Sequence, residues 1–123
     1  MSHAQRSIVL YETHQLRQLL YANALEHLGT RVVMPSTTAD AALLLHNPEY
    51  VLAVVSLSED AGERRKVLSS MQRATVTIPM VILDAELFNP EHFESLPVQA
   101  HFHRSRVNLS EVISHIARIL HVE

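Results

Sequence analysis

The chain has 123 residues, 47% apolar and 19% charged, with no cysteine. That suits one globular domain with a single core and excludes disulfides, thiolate nucleophiles and cysteine-based zinc sites. A formal net charge of −3 and a pI near 6.3 give none of the basic field on which direct nucleic-acid binding draws, so none is expected.

Along the chain, Ser7 to Glu12 (SIVLYE) is a short apolar run and predicts a strand. Gln15 to Leu28 carries Leu16, Leu19, Leu20, Ala24 and Leu28 at helical spacing, which predicts an amphipathic helix. Gly29 then stands where a helix end needs positive φ, and Thr30 to Met34 restarts as a β-branched strand. Thr37, with Asp40 three residues on, reads as the N-cap of a second helix closing before Pro48. Val51 to Val55 is a third strand, and it runs out onto a hydroxyl, Ser56. Glu59 to Arg73 is a polar helix with a thin apolar stripe of Val67, Leu68 and Met71. Val76 to Leu83 is a fourth strand, with Pro79 placed near its start, where a missing ladder bond costs least. Asn89 and Pro90 predict a short helix through Leu96, and Val98 to His103 a fifth strand. Asn108 with Glu111 forms a capping box for a last helix to about His121, whose buried side carries Val112, Ile113, Ile116, Ala117 and Leu120.

Strands and helices thus alternate as (βα)5. Apolar runs without period-2 alternation imply strands covered on both faces, hence a parallel sheet between two helical layers. No linker, repeat or low-complexity stretch divides the chain, so residues 1–123 are read as one domain. No apolar run approaches the ~20 residues of a membrane span, and Met1 to Ser7 has no hydrophobic signal core, so a cytoplasmic protein without membrane contact is expected. Two scarcities constrain any chemistry: the only lysine is Lys66, and the only aspartates are Asp40, Asp60 and Asp84.

The runs SIVLYE followed by Leu16–Leu20, VLAVVSL after Pro48, IPMVILDA, and RVNLSEV ahead of the last helix together resemble the receiver domain of two-component response regulators. The resemblance covers essentially the whole chain and implies a flavodoxin-like three-layer fold with strand order 2-1-3-4-5. It also implies a site at the carboxyl ends of strands 1, 3, 4 and 5. There receivers hold a divalent cation on an acidic pair, phosphorylate an aspartate, and use a Thr or Ser and a lysine beside it. Carried onto this chain, the acidic pair falls on Tyr11 and Glu12, and the phosphoacceptor on Ser56, or on Val55 if the strand is counted one residue differently. The Thr or Ser falls on Asp84, and the lysine on Ser105 or Arg104.

A serine hydroxyl without a base is a poor nucleophile, Tyr11 removes half of the metal's carboxylates, and Lys66 sits in the helix after strand 3, remote from strand 5. The resemblance is therefore to a degenerate, pseudo-receiver member, with no enzymatic activity, metal or cofactor expected. SLSEDAGERRKVLSSM and TIPMVILDAEL also resemble the degenerate N-terminal domains of sigma-54-dependent flagellar and biofilm activators. That implies an effector, an ATPase with a DNA-binding helix-turn-helix, in the same polypeptide or in a partner; no GxxxxGK[ST] loop lies in this chain.

Several features have a sharp and a plain reading. Glu12 and Asp84 could retain a cation or ligand site; the plainer expectation is that Asp84 pairs with Arg104 or caps nearby amides. His101 and His103, two apart on strand 5, could chelate a metal, but edge strands ordinarily carry polar side chains, and further ligands are lacking. Ser56 with His14 or His103 lacks the G-x-S-x-G elbow of a hydrolase. Phe102 stands where receivers place a switch aromatic, or is simply core beside the last helix. The family's usual dimer face of helix 4, strand 5 and helix 5 would offer Glu91, Glu94, Phe102, Arg104, Arg106, Glu111 and Arg118, whose mixed signs permit reciprocal pairs in a homodimer. The leading expectation is a regulatory domain acting through dimerisation or effector contacts without aspartyl phosphorylation. The alternatives are a small-ligand or nucleotide sensor, with the crevice binding near Arg104 and Arg106, and a standalone protein-binding adaptor.

Overall fold

The computed structural model describes residues 5–121. Five strands, β1 (Ser7–Tyr11), β2 (Arg31–Val33), β3 (Tyr50–Ser56), β4 (Met80–Asp84) and β5 (Val98–His103), alternate with α1 (Gln15–Glu26), α2 (Thr38–Leu44) and α3 (Ala61–Arg73), and α4 (Leu109–Ile119) follows β5. Every strand pair is parallel and the order is β2-β1-β3-β4-β5, as expected. No helix among the described residues is long and apolar enough to cross a membrane.

The unbroken apolar runs follow from burial on two sides. Val9, Ala53, Val55, Met80 and Ile82 point to the layer of α2 and α3 and meet Ala41, Leu45, Val67, Leu68 and Met71. Their neighbours Ile8, Leu10, Leu52, Val54, Val81 and Leu83 point the other way, onto Ala22 and Leu25 of α1 and Val112, Ile116 and Leu120 of α4. Successive strand residues face opposite sides, so both must be apolar when both sides are covered.

The predicted caps form. Thr37 Oγ1 accepts from the Asp40 amide and Asn108 Oδ1 from the Glu111 amide, each such cap contributing ~1 kcal/mol. Gly29 has φ +82, the left-handed backbone that glycine adopts without a Cβ penalty. Pro79 stands just before β4 and contributes only its carbonyl, which accepts from the Ala53 amide.

Three expectations are corrected. The leucine stripe of α1 does not face the core: Leu16, Leu19 and Leu20 are 61%, 63% and 51% exposed, and the helix buries Ala22 and Leu25 instead. β4 begins at Met80 rather than Val76, with Val76 and Ile78 buried ahead of it. The helix predicted between β4 and β5 is only a 3₁₀ turn, Pro90–Phe93. Ser95 has φ +69 and Pro97 restricts Leu96, so the segment lacks the length that would repay helix nucleation. The dimer face that helix would have completed is therefore not built as predicted, and Glu91 and Glu94 sit exposed on and just after the turn.

Candidate functional site

At the carboxyl ends of β1, β3 and β4 the structure brings together Glu12, Ser56 and Asp84, with Arg104 entering from just beyond β5. All but Arg104 are buried. Glu12, Ser56 and Asp84 are each held by an arginine of the protein itself, and a cavity of about 160 Å³ remains between Arg17 and Arg104.

Glu12 follows β1 and is consumed locally. Its Oε1 accepts from Arg17 Nε at 2.7 Å and its Oε2 from the His14 amide at 2.9 Å. Arg17 belongs to the first turn of α1, so the strand-to-helix turn itself delivers the cation. Tyr11 does not join the crevice. It points into the α2–α3 layer, where its hydroxyl lies 3.0 Å from Thr38 Oγ1 at the start of α2.

Ser56 is the last residue of β3, and its Oγ accepts from Arg104 at 2.9 Å. The same guanidinium nitrogen donates to the Leu83 carbonyl at 3.0 Å, and its twin donates to Glu59 Oε1 at 3.1 Å. Glu59 also lies 3.5 Å from Arg17, so one exposed carboxylate joins the two arginines across the mouth of the crevice. The bond and charge of Arg104 lower the Glu59 pKa. Ser105, the other candidate for the lysine position, stays outside: it is exposed, with its Oγ 2.8 Å from His103 Nδ1. Of the two candidates, Arg104 and not Ser105 reaches the crevice.

Asp84 ends β4, fully buried. The expectation that it pairs with Arg104 is corrected; its partner is Arg64 of α3. Arg64 Nε and NH2 donate to the two carboxylate oxygens at 3.0 and 2.9 Å, a bidentate fork. His101 Nε2 lies 2.9 Å from Oδ2, and the amides of Ala85 and Glu86 donate to Oδ1 at 2.8 and 3.3 Å, the amide capping that was the other half of the expectation. Burial pushes the Asp84 carboxyl up, but the hydrogen bonds from Arg64 and His101 and the Arg64 charge outweigh it and hold the pKa at about 2. Arg64 is itself buried, and it also contacts Glu86 at 3.3 Å and His92 Nδ1 at 3.2 Å.

Arg64 is the functional residue that the sequence reading missed, and a signal for it existed. It stands three and four residues before Val67 and Leu68, the one charged residue in line with the apolar stripe of α3. A cation in a stripe position requires a buried anion, and Asp84 is the only aspartate at a strand end.

His101 and His103 do not converge. His101 is drawn to Asp84 and packs edge-on against Phe88 and Phe93, while His103 holds Ser105. Among the described residues no three His, Asp or Glu side chains cluster as metal ligands would. Phe102 lies on the opposite side of β5, half-buried, with its ring 5.5 Å from His115 of α4, a packing that both readings of it expect. Of the remaining predicted surface residues, Arg106, Glu111 and Arg118 are not gathered into a network among the described residues, where Arg118 makes a 3.5 Å contact with His115.

No protein-family model matches the chain, and no curated protein matches it. Solved structures do. A CheY-like response regulator receiver domain from Methanospirillum hungatei superposes with a TM-score of 0.74 at 14% identity, over 95% of this chain and 94% of that one. The non-phosphorylated HemR receiver domain of Leptospira biflexa gives 0.74 at 18% identity, over 97% of each. A DNA-binding response regulator of the LuxR family from Staphylococcus aureus gives 0.66 at 15%, over 93% and 98%. At these identities the likeness establishes one thing, that the chain has the CheY-like, flavodoxin-like receiver fold.

Proposed function

We propose that this chain is a pseudo-receiver: a regulatory domain with the receiver fold that performs no aspartyl phosphorylation and acts through contacts with an effector. The observation that carries the reading is that both carboxylates at the receiver positions are spent on arginines, Glu12 on Arg17 and Asp84 on Arg64. Magnesium needs free, hard oxygen ligands, and phosphoryl transfer needs the cation to neutralise nucleophile and phosphate together. Here guanidinium groups already supply the neutralising charge, permanently. The hydroxyl of Ser56 is held by a cation rather than a base, which does nothing to raise its nucleophilicity.

A ligand sensor fits less well, because Arg104 is already committed to Ser56, Leu83 and Glu59. The effector is read by analogy with the DNA-binding response regulator of similar fold and with the sigma-54 activators that the sequence resembles. It is an ATPase and DNA-binding module, in the same polypeptide or in a partner.

The test is incubation with acetyl phosphate and magnesium, followed by intact mass under both acidic and neutral conditions. No phosphoryl adduct is expected. An acid-stable, hydroxylamine-sensitive adduct would overturn the proposal.

A further inference from the structure

β5 is the terminal strand of the sheet, so its outer hydrogen-bonding edge is open. Among the described residues β5 is hydrogen-bonded to β4 alone, so half of its amides and carbonyls face outward, a template for another strand. Natural edges are usually blunted by charge, yet VQAHFH carries no carboxylate, lysine or arginine. A register irregularity at Gln99 leaves Ala100 to His103 as the regular stretch. Beside it lies a large apolar side chain in the open, Phe88 at 52% exposure. Phe88 stacks on Phe93 and meets His101, walling a shallow depression of about 350 Å³ against the strand.

The flanking charges select the occupant. Exposed Glu91 and Glu94 precede β5, and exposed Arg106 follows it. A second copy aligned parallel would set carboxylates against carboxylates. Aligned antiparallel, each acidic end meets the partner's basic end, twice over, as a two-fold axis requires. Residues facing one another across an antiparallel pair share a side of the sheet. A two-fold through His101 satisfies this, with Ala100 opposite the partner's Phe102 and the two Phe88 rings brought to the same side of the junction.

We propose that two copies of this protein join through their β5 edges, antiparallel, to form one continuous sheet, with Phe88 and the Glu94–Arg106 charges sealing the seam. This differs from packing of a helix 4–strand 5–helix 5 face, since the first of those helices is absent here. It also stands independently of whether the crevice takes a phosphoryl group.

The experiment is sedimentation across about 1 μM to 1 mM, paired with amide hydrogen exchange at matched concentrations. A monomer–dimer equilibrium is expected, with Ala100–His103 amides gaining protection in step with the dimer fraction. R106E should weaken association about tenfold, and adding E94R should recover it. F88S, at an exposed position, should weaken association while leaving the fold intact by circular dichroism. A chain that stays monomeric throughout would overturn the proposal. So would a dimer whose β5 amides exchange as in the monomer, or whose association ignores R106E.

Discussion

Arg64→Leu isolates the pair that fills the receiver's chemical position. The substitution removes the bidentate guanidinium from a fully buried carboxylate and leaves Asp84 with His101 and two amides. Removing one partner of a buried ion pair costs roughly 3–5 kcal/mol, because the other charge stays desolvated. The surviving donors place this case near the lower end, about 3 kcal/mol, a large share of a typical domain stability of ~5–15 kcal/mol. Asp84→Asn alone strands the Arg64 cation and should cost about 2–3 kcal/mol, since Glu86 remains within reach. The double variant has neither unpaired charge and should recover much of the loss, giving a coupling of ~2 kcal/mol or more in a denaturant-unfolding cycle. Additivity within ~0.5 kcal/mol would refute the reasoning, because it would mean that the two groups do not depend on one another.

Further predictions follow from the same site and from the backbone. Asp84 has a folded pKa of about 2 against an ordinary value of 3.8. Its ionised form therefore adds stability that is fully present above about pH 4 and is lost as pH falls through about 2. The amount is on the order of 2 kcal/mol, measured as unfolding free energy against pH, and Asp84→Asn should flatten the slope in that window by the Asp84 share. Ser56→Asp, which restores the receiver's acceptor type, should still take no phosphoryl group from acetyl phosphate with magnesium, because the new carboxylate meets Arg104 while Glu12 and Asp84 stay occupied; an acid-stable adduct on residue 56 would refute this. Gly29→Ala should cost ~1 kcal/mol in thermal or denaturant unfolding, since nothing crowds the added Cβ and only the φ of +82 opposes it. Thr37→Ala should likewise cost ~1 kcal/mol through loss of the α2 cap.

The sequence made the architecture legible where the determinant was local. β5 and the starts of α2 and α4 lie where apolar runs and caps put them, because Thr37 and Asn108 act on amides three residues away. Pro79 falls just before β4 because a strand between two others needs every amide. The register of α1 was not legible: the count of leucines pointed to one face, while the buried face is the one with Ala22 and Leu25. The missing helix was written in Pro97 but was outvoted by the cap and first-turn pair Asn89 and Pro90. At the site, the strand-end positions Glu12, Ser56 and Asp84 could be read from spacing, but their partners could not. Arg64 is 20 residues from Asp84 and Arg104 is 48 from Ser56, so only the sheet order brings them together.

The central claim of the proposed reading is that arginines stand permanently where a cation would neutralise the strand-end carboxylates, Arg17 on Glu12 and Arg64 on Asp84. Its most direct test is titration of the isotopically labelled protein with magnesium and beryllofluoride, read at the amides of Glu12, Ser56, Asp84 and Arg104. Unchanged resonances at all four positions are predicted, up to millimolar ligand. A saturable, magnesium-dependent movement of Glu12 and Asp84 together, with loss of the Arg17 and Arg64 contacts, would contradict the account.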